Sequence, residues 1–95
     1  MMGGYVYILA SHYQGTLYIG VTAHLLKRVW QHKEKITKGF TQKYSVDKLV
    51  YFEEFAHICE AIHREKRLKE WQRQGKIDLI HQVNPEWRDL YYELA

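Results

Sequence analysis

The sequence predicts an α/β (α+β) fold: a small three-stranded antiparallel sheet flanked by helices, in the order β-β-α-β-α-α. Two observations at the N-terminus and one in the middle of the chain carry that expectation. Two short runs before residue 23 alternate apolar and aromatic residues with a period of two, and a third such run lies near residue 50. The segments after the second and third runs carry apolar residues at helical spacing instead.

The first run places Val6, Ile8 and Ala10 on one face and Tyr5, Tyr7 and Leu9 on the other. In the second, Leu17, Ile19 and Val21 oppose Tyr18 and Gly20. The loop between them, SHYQGT, contains Gly15 and suits a hairpin. Pairing Tyr7 with either Tyr18 or Gly20 puts both tyrosines on one face, whereas a one-residue slip separates them. The in-register choice leaves an aliphatic face for the core and a tyrosine-rich face for another purpose. Gly20 on that second face lets another group approach the backbone.

Thr22 is a candidate N-cap for a helix over residues 23–35, with Leu25, Leu26, Val29, Trp30 and Ile36 as its apolar arc. Arg28 and His32 share its shoulder, and Lys33 snorkels from inside the arc. The segment ITKGFTQKYS reads as loop, and DKLVYFEEF as the third strand, with Val50 and Phe52 opposing Leu49, Tyr51 and Phe55. A long helix over residues 57–74 is expected to end at Gly75. Its arc is Ile58, Ala61, Ile62 and Leu68, and Glu65 falls inside that arc. A carboxylate aimed at a core is costly unless paired, protonated or bound to metal. KIDLIHQ is a short helix by pattern, and Asn84 followed by Pro85 resembles an N-cap with proline at the first helical position.

Ninety-five residues, 46% of them apolar, predict one domain over residues 1–95 with one modest core. No window resembles a membrane span or a secretory signal, and the lone Cys59 excludes an internal disulfide, so a cytoplasmic protein is expected. The formal net charge of +3 is mild, but the cations cluster. Lys27, Lys33, Lys35, Lys38 and Lys43 lie in one group, and Arg64 and Lys69 belong to a second. Such patches suit a nucleic-acid backbone.

In order along the chain stand YVY at residues 5–7, YIG at 18–20, Arg28 and His32 on the first helix, Glu65 within AIHREKRL, and Asn84 in NPEWRDL. This constellation resembles the GIY-YIG nuclease superfamily, whose members include homing endonucleases, some restriction enzymes and a DNA-repair incision subunit. The likeness runs from Gly4 to about Leu90 and is nearest to the small stand-alone members. Tyr5 stands where the first motif has glycine, a position without a catalytic group.

The resemblance implies a divalent-metal-dependent endonuclease that hydrolyses phosphodiesters, DNA foremost with RNA open, with weak sequence specificity and a possible place in DNA repair or processing. It implies Glu65 as the one protein ligand to Mg²⁺ or Mn²⁺, Tyr7 as general base or water-positioner, and His32 as recipient of its proton. Tyr18 would orient the water or phosphate, Arg28 would hold the phosphate, and Asn84 would brace the metal end. Arg28 and the metal would favour the Tyr7 phenolate. The alternative is a non-catalytic nucleic-acid-binding module of the same fold, and a protein partner for targeting is a further option. For Glu65 the competing structural role is a buried ion pair, with Lys69 one turn along or with Arg28.

Overall fold

The computed structural model describes residues 3–36 and 39–95. Strands β1 (Gly4–Ala10), β2 (Leu17–Thr22) and β3 (Lys48–Phe55) form one antiparallel sheet in the order β2-β1-β3. The helices are α1 (Leu25–Lys33), α2 (Phe40–Tyr44), α3 (Ile58–Glu70), α4 (Arg73–Val83) and α5 (Tyr91–Leu94). The α+β class and the three-stranded antiparallel sheet expected from sequence are both present, and the short helices α2 and α5 are additional to the expected β-β-α-β-α-α order.

Central β1 is covered on both faces, which is why its residues are apolar or aromatic throughout. Val6, Ile8 and Ala10 pack with Ala61 and Leu68 of α3 and with Ile80 of α4. Tyr7 and Leu9 pack with Leu25 and Val29 of α1, and with Val46 and Leu49. The tyrosine face is therefore a second core rather than an open surface, because α1 lies over it. Each aliphatic side chain taken fully from water contributes about 1.5–3 kcal/mol, and both faces of β1 contribute.

Four expectations are corrected. Ile8 pairs with Tyr51 and Leu9 with Leu49, so Val50 is the extra residue of a bulge. The bulge reverses the alternation: Tyr51 joins the aliphatic face beside Ile8, and Phe52 joins the tyrosine face opposite Tyr7. Thr22 does not cap α1. Its hydroxyl accepts the His24 N–H at 3.1 Å in a turn before the helix, and His24 is the cap residue. The long helix breaks after Glu70, where Trp71 and Gln72 are extended, and Gly75 lies inside α4 rather than ending a helix. A Cβ on Gly75 would stand 3.3 Å from the Trp71 ring, so the glycine accommodates the indole at the break. Finally, residues 40–44 form α2 instead of loop, entered through Gly39 at φ +107°.

Candidate active site

Tyr7 is 1% exposed, and its ring crosses the neighbouring strand at Gly20, its partner in the ladder. A Cβ on Gly20 would lie 2.4 Å from the Tyr7 hydroxyl oxygen and 2.5 Å from Cζ. The glycine of YIG is thus the space that Tyr7 occupies. Two residues back along β2, Tyr18 pairs with Leu9 and faces the same way, its ring centroid 6.4 Å from that of Tyr7. The register that puts both tyrosines on one face is the one observed.

Helix α1 delivers the next groups. Leu25, Val29 and His32 recur at i, i+4 and i+7, and all three are buried, so the imidazole points at the sheet. Leu26, Trp30 and Ile36, assigned to the arc from sequence, are exposed. His32 Nε2 is 3.1 Å from the Tyr7 hydroxyl, and its ring centroid is 5.6 Å from that of Tyr18. On the other side, Nδ1 is 3.0 Å from the hydroxyl of buried Thr41 on α2. Thr41 escaped the sequence reading, because a threonine in a loop-like stretch carries no motif.

Burial pushes the Tyr7 phenol up to about 12; a hydrogen bond from Arg28 opposes this, and the nearby Tyr18 and Glu65 charges add to it. With the protein's own groups alone, Tyr7 is a phenol at neutral pH, and Arg28 does not by itself produce the phenolate expected from sequence. Burial, then the Arg28 cation, holds His32 down at about 4, with Asp47 opposing. The imidazole is therefore neutral at pH 7, and its protonated form is disfavoured at this site.

Glu65 follows Ala61 and precedes Leu68 on the stripe of α3 that faces the sheet, and its side chain is 13% exposed. It pairs with Lys69 at 2.9 Å, the structural role weighed for it from sequence. Its charge is near enough to act on Tyr7. Among the described residues no three His, Cys, Asp or Glu side chains cluster into a metal cage. A single carboxylate still fits Mg²⁺ or Mn²⁺, since Mg²⁺ retains several waters and takes few protein ligands. Lys69 occupies the carboxylate as a cation that an ion can replace. Beside these groups a cleft of about 290 Å³ is lined by Tyr18, Phe40, Lys69 and Lys76, among others.

Comparison with known proteins matches residues 3–78 to the GIY-YIG catalytic domain. The chain belongs to the GIY-YIG family. A UPF0213 protein of Clostridium perfringens is 40% identical over 76 residues, 80% of this chain and 81% of that protein. A UPF0213 protein of Syntrophus aciditrophicus is 36% identical over 87 residues, 90% and 98% of the two chains. The solution NMR structure of a UPF0213 protein from Bacillus halodurans superposes with a TM-score of 0.57 at 26% identity, covering 93% of each chain.

In this GIY-YIG chain the close-packing glycine is Gly4 rather than the motif position Tyr5. A Cβ on Gly4 would meet Ile58 Cδ1 at 2.4 Å and Ala61 Cβ at 3.1 Å, so α3 rests directly on β1 there. Tyr5 faces the other way and donates to Glu54 at 3.3 Å.

Asn84 lies beyond the matched residues. It is the C-cap of α4, not the N-cap of a following helix. Its Nδ2 donates to the carbonyls of Val50 and Arg88 at 3.0 and 2.9 Å, and its Oδ1 accepts the Arg88 N–H at 3.0 Å. Fully buried, it ties the bulge residue of β3 to the C-terminal turn, and its carboxamide is spent on backbone.

The cations sort into two groups. Lys27 lines a cleft of about 210 Å³ with Thr22, His24, Arg28 and Gln31. Lys35 and Lys43 are exposed, Lys43 lying over the Tyr44 ring, and Lys69 borders the cleft beside Tyr18. Lys33 and Arg64, expected at a nucleic-acid surface, have intramolecular partners instead. Lys33 binds Asp89 and the Asp47 carbonyl, while Arg64 makes a two-pronged pair with Glu53 at 2.9 and 3.0 Å. Lys38 lies outside the described residues. Cys59 is exposed. Among the described residues no helix is long and apolar enough to cross a membrane.

Proposed function

We infer that this protein is a divalent-metal-dependent endonuclease hydrolysing phosphodiester bonds, most directly in DNA, within a single domain over residues 1–95. The observation that carries this reading is the convergence of Tyr7, Tyr18, Arg28 and His32 on one sheet face, with the Glu65 charge close enough to reach Tyr7. Five polar side chains from four elements are more than this second core needs, because aliphatics would fill it without burying polar atoms.

Each group has work to do in hydrolysis. Water adds its oxygen to phosphorus and gives one proton to Tyr7, whose own proton passes to His32 Nε2 across 3.1 Å. The ester oxygen departs with a proton from solvent. Tyr18 hydrogen-bonds the water or a phosphate oxygen. Arg28 clamps the phosphate and counters its growing charge. Glu65 would hold Mg²⁺ or Mn²⁺, and the ion would supply Lewis-acid stabilisation of developing negative charge. Asn84 supports the sheet rather than the ion. Lys27, Lys35, Lys43 and Lys69 contact flanking phosphates, which gives affinity without sequence reading and a steep salt dependence. The protein acts in the cytoplasm on this reading.

The test is cleavage of labelled single-stranded, duplex, flapped and branched DNA and one RNA, in Mg²⁺, Mn²⁺ or EDTA, with wild type beside Glu65→Ala. Metal-dependent cutting lost in the variant is the expected result. Binding without cutting, equal in both proteins, would leave a nucleic-acid-binding module in place of the enzyme.

A further inference from the structure

Proton accounting at the Tyr7 hydroxyl leads to a residue that no motif marks. Three buried groups form a chain from the sheet to α2: Tyr7, His32 and Thr41, exposed by 1%, 2% and 5%. Their contacts are 3.1 Å between the Tyr7 hydroxyl and Nε2, and 3.0 Å between Nδ1 and the Thr41 hydroxyl. A guanidinium carries donors only, so Arg28 uses a lone pair of the Tyr7 oxygen. The buried Tyr7 O–H needs an acceptor of its own, and among the described contacts that acceptor is His32 Nε2. A neutral imidazole has one ring proton; with Nε2 accepting, that proton sits on Nδ1 and points at Thr41.

We propose that Thr41 is a positioning residue that fixes His32 as the Nδ1–H tautomer, so that the Nε2 lone pair stays aimed at the Tyr7 proton. The proposal rests on the nuclease reading above and deepens it. Thr41 stands where a carboxylate would orient the histidine of a hydrolase triad, but as a neutral acceptor. The groups that face the imidazole are the Tyr7 hydroxyl, the Tyr18 ring, Arg28, Asp47 and Thr41. Of these Thr41 is the one whose hydroxyl meets Nδ1. When Tyr7 gives its proton to Nε2, the O–H bond breaks and an N–H bond forms. The resulting imidazolium strengthens its Nδ1–H bond to Thr41, because hydrogen bonds from an ionised donor are about twice as strong.

The arrangement also gives α2 a role. Thr41 is held by the helix and by the Val46 N–H, which donates to its carbonyl at 2.9 Å. The short helix therefore sets the orientation of a histidine nine residues earlier.

Two readouts test the proposal. Nitrogen-15 NMR of histidine-labelled protein at pH 7.5 reports the tautomer without any substrate: wild type is expected to show His32 with its proton on Nδ1. Thr41→Val, nearly the same shape without a hydroxyl, is expected to shift population to the Nε2–H form, while Thr41→Ser is expected to keep Nδ1–H. On a substrate that wild type cuts, Thr41→Val is expected to lower kcat about tenfold with KM unchanged, and Thr41→Ser to restore it. An Nε2–H tautomer in wild type overturns the proposal. So does a Thr41→Val protein of unaltered melting temperature with wild-type tautomer or kcat. If wild type cuts nothing, the nuclease reading fails, and the NMR result still decides Thr41. If Thr41→Val does not fold, Thr41→Ala takes its place in both readouts, with the same expected and overturning results.

Discussion

Replacing Gly20 by alanine is the sharpest structural perturbation available at this site. The new methyl would stand 2.4 Å from the Tyr7 hydroxyl oxygen and 2.9 Å from Cε1, far inside contact distance. The ring cannot yield towards His32 without losing the 3.1 Å hydrogen bond, because the hydroxyl is already seated on Nε2. Overpacking of this kind costs about 1–3 kcal/mol, and relief from glycine's strand entropy returns about 0.5–1 kcal/mol. A net loss of about 1–2 kcal/mol corresponds to about 5–15 °C in melting temperature for a chain of this size. Urea and thermal unfolding of Gly20→Ala read that loss directly. The same substitution in a Tyr7→Leu background should cost less, since the ring it strikes is gone, so the two changes should be non-additive. A Gly20→Ala protein as stable as wild type, or equal costs in both backgrounds, would refute the claim that Gly20 exists to seat Tyr7.

Asn84→Ala should cost about 2–4 kcal/mol, because it strands the Val50 and Arg88 backbone groups it now satisfies, yet leave activity per folded molecule nearly unchanged. Melting curves beside specific activity check this, and lost activity in a stable variant would restore a site role. The His32 imidazole sits at about 4 when folded against an ordinary 6.5, so the unfolded chain binds its proton first. Its contribution is complete above pH 6.5 and is lost as pH falls towards 4, to a total of about 3 kcal/mol. Urea titrations at pH 7 and pH 4.5 should show that slope in wild type and a flatter one in His32→Gln. Arg28→Ala should lower kcat by 100-fold or more on the order of lost transition-state charge stabilisation, whereas Lys43→Ala should weaken binding and reduce the salt slope by about one. Single-turnover and salt-dependent binding assays separate them.

The sheet and its shared tyrosine face were legible because alternation has a period of two, and a slip would have reversed every side chain. Glu65 was legible as a carboxylate on an apolar stripe. The bulge at Val50 was not, because one inserted residue is held by a tertiary contact, the Asn84 carboxamide, with no local pattern. Asn84-Pro85 misled for a related reason: the pair suits the end of a helix as well as a start, and here burial of the side chain decides. Gly75 resembled a helix terminator, but the stop is at Trp71 and Gln72, and the glycine makes room for the indole. Thr41 belongs to a five-residue helix, too short to produce a periodic signal. The cations were located but not their partners. Lys33 and Arg64 look like any surface base until Asp89 and Glu53 are seen beside them.

The central claim is that the Tyr7 hydroxyl takes part in phosphodiester hydrolysis. Its most direct test is single-turnover cleavage in Mg²⁺ by wild type and by Tyr7→Phe, with binding affinity and melting temperature measured on the same preparations. The account predicts that Tyr7→Phe folds, binds nucleic acid as wild type does, and cuts at least 100-fold more slowly. Wild-type cleavage by Tyr7→Phe would contradict it and reduce the tyrosine to packing.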